Sequence, residues 1–217
     1  MCFYFKMEAF TLKNKTVSFC AKRGSGKSCL IKYLVSCEKK LFDKTYVICP
    51  TERVNHFYSD IVPENCIFDH WSEAWVGTLI QKMTQLKSEG KNKHVLLILD
   101  DLVTDVNFGQ SKTLKLLYSR GRHLNISVIL SMQYINSIPP IARGNTDYFL
   151  VGQQNAYSID LLVTEYMAGN IAKKEFIEMY HLNTRDYRFF VINCNTVKDN
   201  GDLRQIYGSL KTPASYI

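Results

Sequence analysis

One stretch of the sequence decides the fold: Ala21-Lys22-Arg23-Gly24-Ser25-Gly26-Lys27-Ser28. An apolar run, residues 16–20, precedes it and a segment with helical spacing follows it, which is the strand–loop–helix context of a Walker A phosphate-binding loop. Gly24 and Gly26 permit backbone angles that other residues resist, so successive N–H groups can turn toward a phosphate. Ala21 replaces the first glycine of the pattern, at a position that requires small size more than glycine.

The loop predicts a site for the phosphates of ATP, because the start of the following helix adds positive charge to the inward-facing N–H groups. The Lys27 ammonium can reach the β- and γ-phosphates, and the Ser28 hydroxyl can ligate Mg²⁺. The predicted cofactors are therefore ATP and Mg²⁺, and Lys27 is also a predicted catalytic residue. A chance glycine-rich turn is the alternative, and the strand–helix context argues against it. The predicted nucleotide-binding residues are Lys22, Arg23, Gly24, Ser25, Gly26, Lys27, Ser28 and Cys29.

Two aspartates supply the second half of the predicted site. Residues 95–99 are apolar throughout and are followed by Asp100 and Asp101. A buried parallel strand that ends in a carboxylate delivers it to the edge of the sheet where ligands bind, so Asp100 joins Ser28 as the predicted metal ligand. We expect Asp101 to polarise the attacking water. Two adjacent buried carboxylates repel each other, so such a pair indicates a bound cation or a catalytic role. The alternative is that Asp101 only begins the next loop.

Two further polar residues are catalytic candidates. Gln133 follows the apolar run 126–130, and in P-loop ATPases with an extra strand between the Walker A and Walker B strands a polar residue here senses the γ-phosphate. Its amide can contact both the phosphate and the water. Arg122, close to Arg120, suits neutralisation of a transferring phosphoryl group across a subunit interface. The alternative for the arginines is a surface helix end, where basic residues complement the helix dipole.

The rest of the chain predicts an α/β fold in one continuous domain, residues 1–217. Short β-branched runs alternate with helical segments, which indicates βαβ units and a mainly parallel sheet. The first helix is expected over about 27–39, and Pro139-Pro140 is expected to prevent regular structure in its loop. Residues 187–193 and 203–207 predict a closing β-hairpin around a turn at Asp199-Asn200-Gly201-Asp202.

Composition places the chain among ordinary globular proteins. Hydrophobic residues make up 46% and charged residues 22%, no apolar run approaches the roughly 20 residues that span a bilayer, and we expect no secretory signal. The formal net charge is +7, and the excess of lysine and arginine lies in residues 1–45, where it can serve phosphates or nucleic acid. A solvated basic face is the alternative. The seven cysteines lack zinc-site spacing, and because most lie in apolar stretches they predict buried free thiols in a reducing compartment.

Three segments together resemble a known family. Residues 96–101 end in the acidic pair, residues 121–130 begin with Gly-Arg-His-Leu-Asn, and Gln133 follows. The set resembles the viral genome-packaging ATPases of the FtsK–HerA superfamily, in particular the poxvirus-type enzymes of large DNA viruses and virophages. The likeness covers residues 17–151. It implies a RecA/FtsK-like P-loop NTPase three-layer sandwich.

The resemblance also implies a function: ATP-driven translocation of double-stranded DNA into a preformed capsid by a homo-oligomeric ring. It implies capsid protein contact and a place in the virion or a cytoplasmic viral factory. By position it makes Asp101 the water-activating residue, Gln133 the γ-phosphate sensor and Arg122 the residue offered to a neighbouring subunit, with Arg120 as the fallback. DNA contacts are expected on pore-facing loops, through Lys112, Lys115 or the basic amino-terminal region.

Four other functions compete with a DNA motor. A nucleoside or nucleotide kinase requires an acceptor pocket and an arginine-rich lid, but Arg143 stands nearly alone in the corresponding region. A GTPase-like switch requires Asn-Lys-x-Asp after a later strand, and residues 130–134 do not supply it. The sequence is also compatible with a partition protein or with a cellular DNA pump outside any virus.

Overall fold

Eight strands form one sheet in the computed structural model, which describes residues 10–102, 108–196 and 202–217. The first six strands across the sheet are parallel, and the last two are antiparallel to their neighbours. The predicted mainly parallel sheet is therefore confirmed. The spatial order is β3 (Ile67–Phe68), β2 (Lys44–Ile48), β4 (Val95–Asp100), β5 (Ile126–Met132), β1 (Thr16–Cys20), β6 (Tyr148–Val151), β7 (Arg188–Asn193) and β8 (Tyr207–Lys211).

Helices cover both faces of this sheet. On one face α1 (Lys27–Glu38) packs Leu30 and Leu34 against strand residues such as Ile98. On the other face α3 (Glu73–Ser88), α4 (Lys112–Arg120), α6 (Ala156–Tyr166) and α7 (Lys173–Leu182) pack against residues such as Leu97 and Leu99. Successive strand residues alternate between the two cores because side chains of a strand point to opposite faces. The predicted three-layer sandwich is confirmed. The helices are α1 (Lys27–Glu38), α2 (Glu52–Asn55), α3 (Glu73–Ser88), α4 (Lys112–Arg120), α5 (Pro140–Gly144), α6 (Ala156–Tyr166), α7 (Lys173–Leu182) and α8 (Leu203–Ile206).

The strand order places three loops side by side. β5 lies between β1 and β4 and is parallel to both, with Cys20 opposite Met132 and Asp100 opposite Ser131. The carboxyl ends of these strands therefore meet at one edge of the sheet, where the glycine-rich loop, the acidic pair and Gln133 all emerge. This is the extra strand between the Walker A and Walker B strands that the role of Gln133 requires.

The carboxyl-terminal hairpin differs from its prediction in one strand. Residues 203–207 do not form a strand: Leu203–Ile206 is the helical turn α8, and the second strand, β8, runs from Tyr207 to Lys211. The Asp202 side chain accepts the N–H of Arg204, and such an N-terminal cap favours a helical turn over an extended chain. Antiparallel pairing of β7 with β8 is as expected, while residues 197–201, where most of the turn was predicted, lie outside the described residues.

The loop prediction at the two prolines is also wrong. α5 begins at Pro140, which occupies the first helical position. Proline is tolerated there because the N–H it lacks would have no partner within the helix. The pair thus begins a short helix instead of preventing regular structure.

Two sequence expectations concern membranes and cysteines. Among the described residues, no helix combines the length and apolar character needed to cross a bilayer. Of the seven cysteines, Cys2 lies outside the described residues and the other six are free thiols. Three of the six are buried and Cys37 is exposed. The predicted burial of the thiols therefore holds for half of the described cysteines. The reducing compartment stays a prediction.

Candidate nucleotide-binding site

The glycine-rich loop has the backbone that its sequence predicts. Gly24 and Gly26 have φ angles of 74° and 81°, in the left-handed region that favours glycine. Gly26 precedes α1, and its carbonyl accepts the first helical hydrogen bond from Leu30 N at 2.9 Å. The N–H groups of the first turn thus stay available, and they point out of the helix toward the cavity above the loop.

The alanine that replaces the first glycine is accommodated by a neighbouring glycine. Ala21 is fully buried, and a Cβ atom built on Gly152 would lie only 2.7 Å from Ala21 Cβ. Gly152 follows β6, which pairs with β1. Small size at residue 21 is therefore a packing requirement, and the methyl group fits because residue 152 has no side chain.

A cavity of about 340 Å³ lies above the loop. The structure brings together in its lining all eight predicted nucleotide-binding residues, the acidic pair Asp100 and Asp101, and Gln133. Lys27 is 9% exposed, so its charge is held at the cavity floor. Thr51 and Asn55, at the start and end of α2, also line the cavity and carried no recognisable sequence signal.

Ser28 and Asp100 meet inside this cavity. Ser28 Oγ donates to Asp100 Oδ2 at 2.9 Å, although 72 residues separate them. Asp100 is 4% exposed, and its Oδ1 atom has no hydrogen-bond partner within the described part of the chain. A buried carboxylate oxygen without a partner next to a hydroxyl fits the oxygen ligands that Mg²⁺ prefers. The described residues contain no cluster of three or more His, Cys, Asp or Glu side chains that could hold a metal, so phosphate and water oxygens would complete the coordination.

Tyr58 orients Asp100 and was missed from the sequence. Its hydroxyl donates to Asp100 Oδ2 at 2.7 Å. Burial, reinforced by the Asp100 carboxylate, raises the pKa of Tyr58 well above its usual value, so the hydroxyl stays a donor. The buried Glu52 Oε1 accepts Tyr58 N at 2.7 Å and Ser59 N at 3.1 Å. Glu52 thus fixes the segment that aims the hydroxyl at the predicted metal ligand.

Replacing Tyr58 by phenylalanine is expected to raise the Mg²⁺ concentration for half-maximal ATP hydrolysis about tenfold, because loss of such an orienting partner costs 10- to 100-fold in metal affinity. The rate at saturating Mg²⁺ should change much less. Titration of the ATPase rate with Mg²⁺ checks this. Tyr118→Phe is the matched control, since Tyr118 is equally buried but is not bonded to Asp100. An unchanged Mg²⁺ requirement in Tyr58→Phe would contradict the role.

Asp101 and Gln133 also meet at the cavity. Gln133 Nε2 donates to Asp101 Oδ1 at 3.1 Å, and Asp101 Oδ2 accepts no hydrogen bond from the described residues. Asp101 has a φ angle of 55°, an uncommon backbone conformation for a residue with a side chain. Gln154, buried after β6, donates from Nε2 to the Gln133 carbonyl at 3.2 Å. Gln154 therefore supports the sensor candidate, and it too was missed from the sequence.

Arg122 does not join this group in the chain. It lies in the helical turn Gly121–Leu124, at the amino end of β5, and its Nη1 donates to Asp147 Oδ1 at 2.9 Å. The Asp147 side chain is 1% exposed and also accepts Thr16 N at 2.8 Å. Arg122 therefore ties the start of β5 to the amino ends of β1 and β6. Its action on a neighbouring site stays a prediction, and so does that of the exposed Arg120.

The fold and the site define a P-loop nucleoside triphosphatase with an extra strand between its two phosphate-site strands. The chain belongs to the Poxvirus A32 protein family, whose sequence model matches residues 3–210. The resemblance to poxvirus-type packaging ATPases, inferred from the acidic pair, the Gly-Arg-His-Leu-Asn run and Gln133, is thereby confirmed. Among its relatives, protein 075L of Invertebrate iridescent virus 6 is 32% identical over 195 residues, which cover 88% of this chain and 75% of that protein.

Two solved structures are similar to this chain. B204, the DNA-packaging ATPase from Sulfolobus turreted icosahedral virus, has a TM-score of 0.68 at 18% identity, with 94% of this chain and 100% of B204 covered. The genome-packaging NTPase B204 of Sulfolobus turreted icosahedral virus 2, solved in complex with AMPPCP, has a TM-score of 0.63 at 18% identity, with 92% and 98% covered. Both likenesses support the fold.

Proposed function

We propose that this chain is an ATP-hydrolysing motor that translocates double-stranded viral DNA into a preformed capsid. One observation carries the ATPase part: Lys27, the Ser28–Asp100 pair and the Asp101–Gln133 pair line a single cavity. Family membership supports the viral role, and both similar structures are those of viral packaging enzymes. Residues 1–217 would act as one ATPase domain.

The floor of the cavity binds and orients the triphosphate. Lys27 neutralises the β- and γ-phosphate oxygens, while the N–H groups of residues 26–29, at the start of α1, donate to phosphate oxygens. Ser28 and Asp100 would hold Mg²⁺. When it is bound, the ion would stabilise the negative charge that develops on the phosphate oxygens. Tyr58 keeps Asp100 turned toward that position through its 2.7 Å hydrogen bond.

The Asp101–Gln133 pair acts on the attacking water. Gln133 holds Asp101 Oδ1, and Oδ2 accepts a hydrogen bond from a water beside the γ-phosphate. The water oxygen forms a bond to the γ-phosphorus as the bond to the β–γ bridging oxygen breaks, and the proton passes to the Asp101 carboxylate. The side-chain amide oxygen of Gln133 can accept a hydrogen bond from the same water.

DNA would be bound through basic side chains outside the cavity. The exposed lysines Lys39, Lys40 and Lys44 cluster where α1 ends and β2 begins, and Lys112 and Lys115 are exposed on α4. Lysines bind DNA phosphates without reading sequence. A ring of identical subunits would place one of these groups toward a central duplex, with the capsid protein as a further partner. We place this activity in the virion or a cytoplasmic viral factory.

The ATPase rate measured against added double-stranded DNA, with molecular mass measured in parallel, tests the proposal. We expect duplex DNA to raise the rate several-fold and the mass to correspond to an oligomer. ATP hydrolysis that ignores DNA in an assembled ring would contradict a DNA motor. Phosphate transfer to a nucleoside in the same preparation would establish a kinase, and a strong preference for GTP would establish a switch.

Mixing two inactive variants tests the trans arginine. If Arg122 completes a neighbouring site, Arg122→Ala should lower the rate by at least about 10³-fold, and mixing it with Lys27→Ala should restore part of the rate because some interfaces are then whole. Arg120→Ala in the same assay is the matched comparison. Absence of rescue, together with a lowered melting temperature, would refute the trans role. Arg122 would then only stabilise the fold through its ion pair with the buried Asp147.

A further inference from the structure

A second cavity adjoins the phosphate loop at the same edge of the sheet. Its volume is about 470 Å³, which is large enough for a nucleoside. The segment before β7 forms one wall, and the segment after β8 forms the other. The lining residues are Asp186, Tyr187, Lys211, Thr212, Pro213, Ala214 and Ile217, and we call this cavity the hairpin slot.

The hairpin slot shares a wall with the phosphate site. A Cβ atom built on Gly26 would lie 3.0 Å from Tyr187 Cδ1 and 3.4 Å from Thr212 Oγ1. Both side chains therefore rest on the loop that binds the phosphates. On the outer side, the rings of Tyr216 and Tyr33 are 5.4 Å apart in an edge-to-face contact, which docks the segment after β8 on α1.

Tyr187 presents an aromatic ring to the slot and is held there by the backbone. The residue is 44% exposed, and Tyr187 and the preceding Asp186 have φ angles of 57° and 52°. Two successive non-glycine residues in this region are costly and persist only where surrounding contacts impose them. Here Thr212 N donates to the Tyr187 carbonyl at 3.0 Å. The buried Thr212 Oγ1 has no hydrogen-bond partner within the described ranges.

Among the cavities that described residues line, two others near the loop suit a base less well. One, of about 420 Å³, has three carboxylates in its lining, Glu52, Glu64 and Asp69, against one arginine, and no residue of the glycine-rich loop lines it. The other, of about 280 Å³, is lined by Lys22 and Arg185 and favours an anionic group. The hairpin slot combines an open ring, apolar walls and contact with the loop.

We propose that the hairpin slot binds the nucleobase of the nucleoside triphosphate, with the base stacked on the Tyr187 ring and the phosphates in the adjoining cavity. The inference rests on the proposed ATP-binding function of that cavity. Stacking on an aromatic ring suits any base because every base has a π-face. The carboxyl-terminal hairpin is then part of the nucleotide site, joined to it through Gly26.

Calorimetric titration of Tyr187→Ala with Mg²⁺-ATP and with Mg²⁺-tripolyphosphate tests this, because tripolyphosphate has the phosphates without the base. We expect ATP affinity to fall about tenfold and tripolyphosphate affinity to stay within twofold of the unmodified protein. Tyr187→Phe should keep the affinity for ATP. Tyr157→Ala is the matched control, since Tyr157 is 69% exposed on α6 and away from the slot.

Ala214→Trp is a second test of base binding in the slot. It changes the wall opposite Tyr187 and keeps the Tyr187 ring that contacts Gly26. The added indole should fill the slot and weaken ATP about tenfold while tripolyphosphate binds normally. Unchanged ATP affinity in Ala214→Trp, or equal losses of both ligands in Tyr187→Ala, would overturn the slot as a base site. Failure of the unmodified protein to bind either ligand would instead refute the proposed function itself.

Discussion

Replacing Lys27 by alanine is expected to abolish ATP hydrolysis, with a loss of at least about 10²–10³-fold in rate, and to weaken ATP binding. Lys27 is 9% exposed at the floor of the phosphate cavity, where its charge faces little competing solvent. Without it, the triphosphate would approach Asp100 and Asp101 with no cation at the cavity floor, because the other two basic residues of the lining, Lys22 and Arg23, are exposed. Phosphate release and ATP titration measure the two effects.

The control for this variant is Lys91→Ala, which removes an exposed lysine paired with Glu89 near the amino end of β4. It should leave the rate unchanged. The melting temperature of Lys27→Ala should change little, because removal of a nearly buried ammonium offsets the lost packing of its aliphatic stem. Hydrolysis retained in Lys27→Ala would refute the assignment of the whole cavity.

Replacing Asp101 by asparagine should keep ATP binding and lower turnover by about 10²–10⁴-fold, the usual contribution of a positioned general base. Asparagine preserves the shape, and its carbonyl oxygen can still accept the Gln133 amide that now lies 3.1 Å from Asp101 Oδ1. What it removes is the capacity to take the proton from water. ATP titration and single-turnover hydrolysis separate these two properties.

Asp160→Asn is the matched control, because it neutralises an exposed carboxylate of α6 that is paired with Lys173 of α7 and does not line the phosphate cavity. Its binding and turnover should equal those of the unmodified protein. Equal losses of binding and turnover in Asp101→Asn would rule out the water-activating role. Asp101 would then act on the nucleotide or only on the loop that it begins.

Most of the phosphate site could be predicted because its signals are local in the chain. The loop residues are contiguous, and the acidic pair directly follows an apolar strand, so strand–loop–helix context was enough. Gln133 needed one more step, the assumption of an extra strand between the two phosphate-site strands, which the position of β5 bears out.

The supporting residues could not be predicted because no local pattern marks them. Tyr58 lies in an irregular segment after α2 and reaches Asp100 across 42 residues. Glu52 follows Pro50 and Thr51 with no motif around it. Gln154 lies just past β6, so a known strand order would have indicated it as a polar residue at the ligand-binding edge.

The sequence by itself determined the phosphate-binding loop, the metal-ligand candidates and the layered α/β fold, because backbone angles, helix starts and strand periodicity depend on near neighbours. Only the tertiary structure decided that Tyr58 aims Asp100, that Arg122 is bonded to Asp147, and that the carboxyl-terminal hairpin rests on Gly26. These contacts join residues far apart in the chain. They arise from the order in which strands assemble, which hydrophobic periodicity does not encode.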